Sequence, residues 1–167
     1  MGKFRLFAIV SLIIVFLDLL TKGIAVKALS EKDIVLIPNF LDLTLVWNKG
    51  AAFGTFAQSP EWIRKLILLG ASTVAALATT IYAYIKRHEI STLEAIFLAL
   101  ITGGAVGNLY DRFILGKVRD FIDAHVFSYH WPAFNIADAS ITIGILGFIL
   151  NELYFKKKLK SKDSDKI

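Results

Sequence analysis

The chain has 167 residues, and its 56% apolar share exceeds the roughly 45–50% that is usual in soluble domains. It contains no cysteine, which excludes disulfides, thiol nucleophiles and cysteine-based metal sites within it. The formal charge of +5 does not indicate nucleic-acid binding, because six lysines cluster in the segment 156–166. A basic block beside an apolar segment is typical of the cytoplasmic flank of a membrane helix.

The first apolar segment, residues 4–21, is predicted to span the membrane, since a span needs about 20 mostly apolar residues. A signal peptide is the alternative, but no small-residue cleavage site follows directly and three more spans come later. Near the end of this helix, Asp18 and Lys22 are four residues apart and share a face. The pair either closes the helix end as an internal salt bridge or orders the substrate, and both interpretations stay open.

The connection at 22–65 is predicted to hold a small β-sheet. Residues 34–37 and 40–47 are apolar, β-branched runs separated by a Pro-Asn dipeptide, which is the pattern of two strands. The sequence from Trp47 to Gly50 is typical of a turn, and it leads into Ala51-Ala52-Phe53-Gly54. A sheet resting on the membrane surface would bury the apolar runs.

Three further apolar segments predict the remaining spans, at residues 66–85, 93–110 and 136–155. On the third span, Gly104, Asn108 and Arg112 recur every four residues and therefore line one face. Small residues allow another helix to approach closely. Asn108 and Arg112 are predicted to hold a polar site, and Asp111 is a candidate partner for Arg112.

Lysine and arginine set the predicted orientation. Residues 1–5, 86–89 and 156–167 carry 10 of the 19 basic side chains, whereas the two longer connections carry 9 over many more residues. Because cytoplasmic loops are enriched in basic residues, both termini are predicted to be cytoplasmic. The chain is interpreted as a single membrane-embedded domain over 1–167 with a basic cytoplasmic tail at 156–167.

Two aspartates on the predicted outer side carry the functional hypothesis. Asp120 lies in a short extended-looking run, and Asp138 begins the last span. Taken alone, Asp138 could simply complement the helix dipole, and Asp120 could be a solvated loop residue. The connection between them must fold back to the bundle, and if the two carboxylates approach closely, one of them would keep a proton, as in aspartic proteases. The ionised member would then deprotonate a water that attacks a peptide carbonyl.

Other functions remain open on the residues alone. Asp123, His125 and His130 could join the aspartates as metal ligands, although their spacings match no compact site. A transporter would use the outer aspartates as a proton relay or ion site, but no charge lies between Glu94 and Asp111 in the third span. A non-enzymatic membrane scaffold would use them only as caps and ion pairs.

Five short motifs together resemble bacterial lipoprotein signal peptidase (signal peptidase II) in order, spacing and helix position, over about residues 5–155. The motifs are Leu17-Asp18 with Thr21-Lys22, the run from Trp47 to Gly54, the run from Gly103 to Arg112, the run from Val118 to Asp123, and the run from Phe134 to Asp138. The chain departs from the family pattern at Leu19, Arg119 and Ala139, where glutamine, valine and serine are frequent in the family. None of these departures removes either aspartate of the candidate pair.

The resemblance implies an aspartic endopeptidase of the bacterial cytoplasmic (inner) membrane, with its active site on the extracytoplasmic side. It would cut diacylglyceryl-modified prolipoproteins just before the lipidated cysteine, with Asp120 and Asp138 as the catalytic dyad. The residues implied to bind substrate or support the site are Asp18, Lys22, Asn48, Gly50, Asn108, Arg112, Asn135 and Ala137. No metal or other cofactor is implied.

The implied fold is an all-α integral membrane protein with four transmembrane helices. A small extracytoplasmic β-sheet cradle would lie at about 31–57, and a short extracytoplasmic helix would cover the site at about 121–131. The implied partners are lipid-modified prolipoproteins, membrane lipid and cyclic peptide inhibitors such as globomycin, and they include no nucleic acid.

Overall fold

The computed structural model describes residues 2–50 and 60–164, with side chains up to Tyr154. The segment Ala51-Ala52-Phe53-Gly54 lies outside the described residues. The helices are α1 (Lys3–Ala28), α2 (Glu61–Ile85), α3 (Thr92–Leu115) and α4 (Ile136–Ser164). The strands are β1 (Ile34–Ile37), β2 (Leu41–Asn48), β3 (Val118–Val126) and β4 (Tyr129–His130).

The four predicted spans are confirmed as helices that are long and apolar enough to cross a membrane. Many of their large apolar side chains point outward, including Leu12, Phe16 and Leu66. Such a surface suits lipid rather than water. Helices α1 and α3 extend beyond the predicted spans, and Lys22 and Asp111 in these extensions pair inside the bundle. The chain is therefore a multi-pass membrane protein.

Helix α3 occupies the centre of the bundle and packs against each of the other three helices. Half of its apolar window is buried, compared with 17% for each of the others. Glycines allow this close approach. A Cβ atom on Gly104 would lie 2.4 Å from the Ala137 carbonyl oxygen, and one on Gly107 would lie 2.4 Å from Asp18 Oδ2. The predicted small-residue face of this span is therefore a packing face.

The ends of α3 are defined by two local motifs. At its start, Ser91 and Glu94 form a reciprocal capping box. At its end, Gly116 adopts a left-handed conformation with φ of 68°, which a residue without a Cβ adopts most easily. This reversal sends the chain directly into β3 beside the helix that it has just left.

The sheet has the order β1-β2-β3-β4, and every neighbouring pair is antiparallel. In the β2–β3 register, Val46 lies opposite Asp120 and Asn48 lies opposite Val118. Both strands predicted between residues 34 and 47 are confirmed, with β2 beginning one residue later than expected. The sheet packs on the end of α1 through a cluster of Phe121, Ala25 and Leu29.

The prediction of a short helix at about 121–131 is wrong. This segment forms most of β3 and the short β4, which are joined by a turn at Phe127 and Ser128. Backbone pairing of Ile122 with Leu43 holds it in the sheet, and the Phe121 side chain enters the core. Among residues 2–50 and 60–164, no helix is present outside the four of the bundle.

Candidate active site

The structure brings Asp120 and Asp138 to one cavity of about 550 Å³. Asp120 lies in β3, directly after the reversal at Gly116, and Asp138 lies in the first turn of α4. The cavity also has polar lining from Asn48, Arg112 and Thr142. Much of the remaining lining is apolar and comes from Val118, the segment Trp131-Pro132-Ala133-Phe134, Ile141 and Ile143.

Asp120 is held by two side-chain amides. Its Oδ2 accepts a hydrogen bond from Asn48 Nδ2 at 2.9 Å, and its Oδ1 accepts one from Asn135 Nδ2 at 2.7 Å. The Asn48 amide is itself oriented, because its Oδ1 accepts from the backbone N–H of Gly50 at 2.9 Å. The predicted pair Asn48 and Gly50 therefore acts as one unit that points an N–H at the carboxylate.

Asp138 both caps its helix and faces the cavity. Its backbone N–H donates to Asn135 Oδ1 at 2.9 Å, and its Oδ2 accepts from the Asn135 N–H at 3.2 Å, which is a reciprocal capping arrangement. Its Oδ1 accepts from Asn108 Nδ2 at 2.8 Å. The helix-end role considered for Asp138 is therefore present, but it uses only one of the two carboxylate oxygens.

Asn135 connects the two carboxylates. It is fully buried, and its side-chain amide donates to Asp120 while its backbone and carbonyl oxygen pair with Asp138. The same Nδ2 also lies 3.2 Å from Asn108 Oδ1. One asparagine therefore sets the relative position of both groups.

A fully buried ion network lies beneath the dyad. Lys22 Nζ lies 2.7 Å from Asp18 Oδ2, 3.0 Å from Asn108 Oδ1 and 3.5 Å from Asp111 Oδ2. Asp18 Oδ1 accepts from the backbone N–H of Ala137 at 3.0 Å. Neither Asp18 nor Lys22 lines the cavity, so the geometry favours the internal salt bridge over direct substrate ordering.

This network determines how the Asn108 amide is oriented. Because Asn108 Oδ1 faces the Lys22 ammonium, its Nδ2 is directed toward Asp138. Lys22 is thus linked to Asp138 through Asn108 by two hydrogen bonds in series.

Arg112 reaches the cavity from α3. Its guanidinium donates from NH1 to Ser72 Oγ at 3.1 Å, and its buried Nε donates no hydrogen bond within the described part of the chain. Asp111, the candidate partner of Arg112, pairs instead with Arg119. The Arg119 guanidinium donates to Asp111 through Nε at 3.1 Å and through NH2 at 2.5 Å.

Sequence reasoning missed Arg119 as a site-supporting residue. A signal was available, since Gly116 is a typical helix-ending residue and the chain reverses there. A reversal places residues just before the glycine beside residues just after it, which makes Arg119 a neighbour of Asp111.

Burial raises the pKa of the Asp120 carboxyl to about 6, and the nearby charge of Asp138 acts in the same direction. The hydrogen bonds from Asn48 and Asn135 and the charge of Lys22 act in the opposite direction. The raised pKa keeps the Asp120 carboxyl protonated to a higher pH than an ordinary aspartate.

The histidines of the sheet do not join the dyad. His130 Nδ1 lies 2.8 Å from Asp123 Oδ2, His125 Nε2 lies 3.3 Å from Asp42 Oδ2, and the two imidazole rings stack at 4.5 Å. Among the side chains of residues 2–50 and 60–154, no group of three or more histidines or carboxylates has the geometry of a metal site. The metal hypothesis based on Asp123, His125 and His130 gains no support from these contacts.

Comparison with known proteins identifies the family. The sequence model of the signal peptidase (SPase) II family matches residues 10–154. The chain is 56% identical over 149 residues to the lipoprotein signal peptidase of Sulfurihydrogenibium sp. (strain YO3AOP1), covering 89% of this chain and 91% of the relative. It is 44% identical over 156 residues to that of Aquifex aeolicus (strain VF5), covering 93% and 90%.

The fold is similar to that of a solved bacterial membrane enzyme, determined by the in meso method at 2.3 Å resolution. The TM-score is 0.77 at 30% sequence identity, over 91% of this chain and 90% of the other. The family match and the fold agree over nearly the whole chain. The chain therefore belongs to the signal peptidase II family, and it is a membrane peptidase.

Proposed function

We propose that this protein removes signal peptides from prolipoproteins as an aspartic endopeptidase whose catalytic groups are Asp120 and Asp138. The observation that carries the proposal is the placement of two carboxylates, linked by Asn135, in one cavity. The names of the relatives, lipoprotein signal peptidases, support the substrate class.

The two aspartates would take different roles. We assign the proton to Asp120 because it is the more deeply buried carboxyl, at 2% exposed. Substrate that excludes water from the cavity would raise its pKa above the value of about 6 in the free protein. Asp138, which is half-buried and lines the cavity, would act as the general base.

In the first step, Asp138 takes a proton from water as the water oxygen bonds to the carbonyl carbon. The carbonyl π electrons move to its oxygen, which receives the proton of Asp120. In the second step, the hydroxyl proton returns to Asp120 as the carbonyl re-forms and the C–N bond breaks. The leaving amine takes the proton held by Asp138. Both aspartates then regain their starting states, and no covalent enzyme intermediate is needed.

The remaining polar residues of the cavity would position the peptide. Arg112 lines the cavity, and the N–H groups of its guanidinium suit a peptide carbonyl oxygen. The apolar wall formed by Phe134, Ile141 and Ile143 suits the apolar part of a signal peptide or a lipid-modified side chain. We extend the proposal to diacylglyceryl-modified prolipoproteins, cut just before the lipidated cysteine.

We propose that the site faces outward from the bacterial cytoplasmic membrane, with both termini cytoplasmic. The absence of cysteine allows a direct test by single-cysteine labelling. A cysteine replacing the exposed Ser128 in the β3–β4 turn should react in intact spheroplasts with a membrane-impermeant maleimide. A cysteine replacing the exposed His88 should react only after the membrane is opened. The reverse pattern would overturn the orientation.

The function is tested by incubating the purified protein with a prolipoprotein in two forms, one diacylglyceryl-modified and one unmodified. Mass spectrometry of the products should show one cut, just before the cysteine, and only in the modified substrate. Addition of a chelator should leave the rate unchanged. No cleavage of either form would contradict the proposed reaction, and equal cleavage of both would contradict the dependence on lipid modification.

A further inference from the structure

We propose that Arg119 is a positioning residue of the site: paired with Asp111, it fastens β3 to α3 and supplies the positive charge that balances the dyad when the dyad holds one proton. The inference rests on the proposed function and extends it to a residue outside the cavity lining. Arg119 is also one of the positions at which the chain departs from the pattern of the family that it resembles.

The contact between Arg119 and Asp111 is extensive. Besides the two guanidinium hydrogen bonds, the backbone N–H of Arg119 donates to Asp111 Oδ2 at 3.1 Å. Asp111 is fully buried, and the Arg119 side chain is 13% exposed. A planar guanidinium that binds both oxygens of a carboxylate fixes orientation as well as distance. The start of β3 is therefore tied to the last turns of α3.

This tie joins the two backbone segments that hold the dyad. Arg119 immediately precedes Asp120, so the tie restrains the backbone that carries this carboxylate. Asp111 lies one turn after Asn108, which donates to Asp138 at 2.8 Å. Loosening the tie would let Asp120 move relative to Asp138 without removing any group that lines the cavity.

The charges around the dyad also balance through Arg119. Among the described residues, the elements packed against the dyad contribute three cations and two carboxylates, and β2 contributes the neutral Asn48. These groups are Asp18 and Lys22 from α1, Asp111 and Arg112 from α3, and Arg119 from β3. The cluster is therefore neutral when Asp120 and Asp138 together carry one negative charge, which is the state with one shared proton.

Removal of the Arg119 charge would leave this buried cluster with an excess negative charge. Lys22 already pairs with Asp18 at 2.7 Å and with Asp111 at 3.5 Å, so its single charge is shared between two carboxylates and cannot replace the Arg119 charge in full. A nearby uncompensated negative charge disfavours ionisation of a carboxyl group. The dyad should then hold its proton to higher pH, and both limbs of the pH–rate profile should move upward.

The test measures kcat and KM against pH for cleavage of the diacylglyceryl-modified prolipoprotein by wild type and three variants. Arg119→Met removes both the positive charge and the bidentate contact with Asp111. Arg119→Lys keeps the charge but loses the bidentate contact. The double variant Asp111→Asn with Arg119→Met removes both charges. Arg119→Met should lower kcat about tenfold with KM little changed, since misplacement of reacting groups acts on the chemical step.

The position of the pH profile separates a positioning residue from a merely structural one. We expect the Arg119→Met profile to move upward by about one pH unit. The profiles of Arg119→Lys and of the double variant should lie at the wild-type position, because the charge is kept in the first and balanced in the second. Cleavage by wild type establishes the proposed function independently, so failure of that function would appear there first.

Two results would overturn the inference while leaving the proposed function intact. One is an Arg119→Met profile that superimposes on that of wild type with an unchanged kcat. The other is a double variant displaced as far as the single variant. Thermal unfolding in detergent shows whether Arg119→Met folds. If it does not fold, the test rests on Arg119→Lys and the double variant, and a displaced pH–rate profile in either would contradict the role of charge balance.

Discussion

The free energy of unfolding of Asp120→Asn, relative to that of wild type, should be higher at neutral pH than at acidic pH. Burial raises the Asp120 pKa from 3.8 to about 6. A carboxyl whose pKa is raised by folding contributes stability below its unfolded pKa and loses that contribution as the pH rises through its folded pKa. The wild-type free energy of unfolding should therefore lose this contribution between about pH 4 and pH 6–7.

The size of the effect follows from the shift. A difference of roughly two pKa units corresponds to about 3 kcal/mol, at about 1.4 kcal/mol per unit. Asp120→Asn removes this titration. It also replaces one carboxylate oxygen with an NH₂ group that faces either Asn48 or Asn135, at a cost of about 1 kcal/mol that does not depend on pH. The difference between variant and wild type should thus change by about 3 kcal/mol across the pH range.

The assay is thermal or denaturant unfolding in detergent, followed by tryptophan fluorescence at pH 4, 5, 6, 7 and 8. Glu31→Gln, at an exposed carboxylate outside the site, is the matched control and should show no such trend. A wild-type-minus-variant difference that stays constant from pH 4 to pH 8 would refute the assignment of a raised pKa to Asp120. A difference of the opposite sign would show that folding stabilises the ionised form.

Two further predictions concern the bundle beneath the site. Gly107→Ala should destabilise the protein by about 1–3 kcal/mol, because the added Cβ would lie 2.4 Å from Asp18 Oδ2. Gly70→Ala is the control and should not destabilise it, because no neighbouring atom lies within 4 Å of the added Cβ. Equal stability of the two variants, measured by unfolding in detergent, would contradict the packing argument. Lys22→Met should cost about 3–5 kcal/mol, because it leaves Asp18 as a buried carboxylate without its cation. The exposed pair of Lys65 with Glu61 supplies the control, since Lys65→Met should cost less than about 1 kcal/mol. Similar losses of stability in the two lysine variants would show that burial does not set the contribution of the Lys22–Asp18 pair.

Much of the fold could be predicted from the sequence because its elements are encoded locally. A run of about 20 apolar residues must satisfy its backbone hydrogen bonds internally, so each such run forms a helix. The β-branched runs at 34–37 and 40–47 could likewise be read as strands. The prediction failed at 121–131, where the resemblance suggested a helix. There, pairing with β2 and the burial of Phe121 hold the chain extended.

The candidate site could be predicted only in part, because it depends on contacts between distant residues. Asp120 and Asp138 meet only after the reversal at Gly116 and the β2–β3 register have placed both beside α3. Neither feature is visible from the spacing of the two aspartates. The resemblance to a known family identified the pair, whereas residue patterns left a relay and a scaffold open.

The supporting residues show the same division. The internal salt bridge was one of two interpretations of Asp18 and Lys22, and their complete burial favours it. The role of Asn135 as a link between both carboxylates depends on its backbone position at the start of α4. The resemblance marks Arg119 only as a departure from the family pattern, and its contact with Asp111 follows from the reversal at Gly116, a typical helix-ending residue.

The central claim is that Asp120 and Asp138 together hydrolyse the peptide bond, and single-turnover cleavage of a diacylglyceryl-modified prolipoprotein tests it most directly. Asp120→Asn and Asp138→Asn should each lower the rate by at least about a thousandfold, because each removes one half of the acid–base pair. Asp123→Asn, a carboxylate of the same strand that does not line the cavity, should cleave at close to the wild-type rate. Wild-type turnover by either dyad variant, in protein that unfolds cooperatively, would contradict the account.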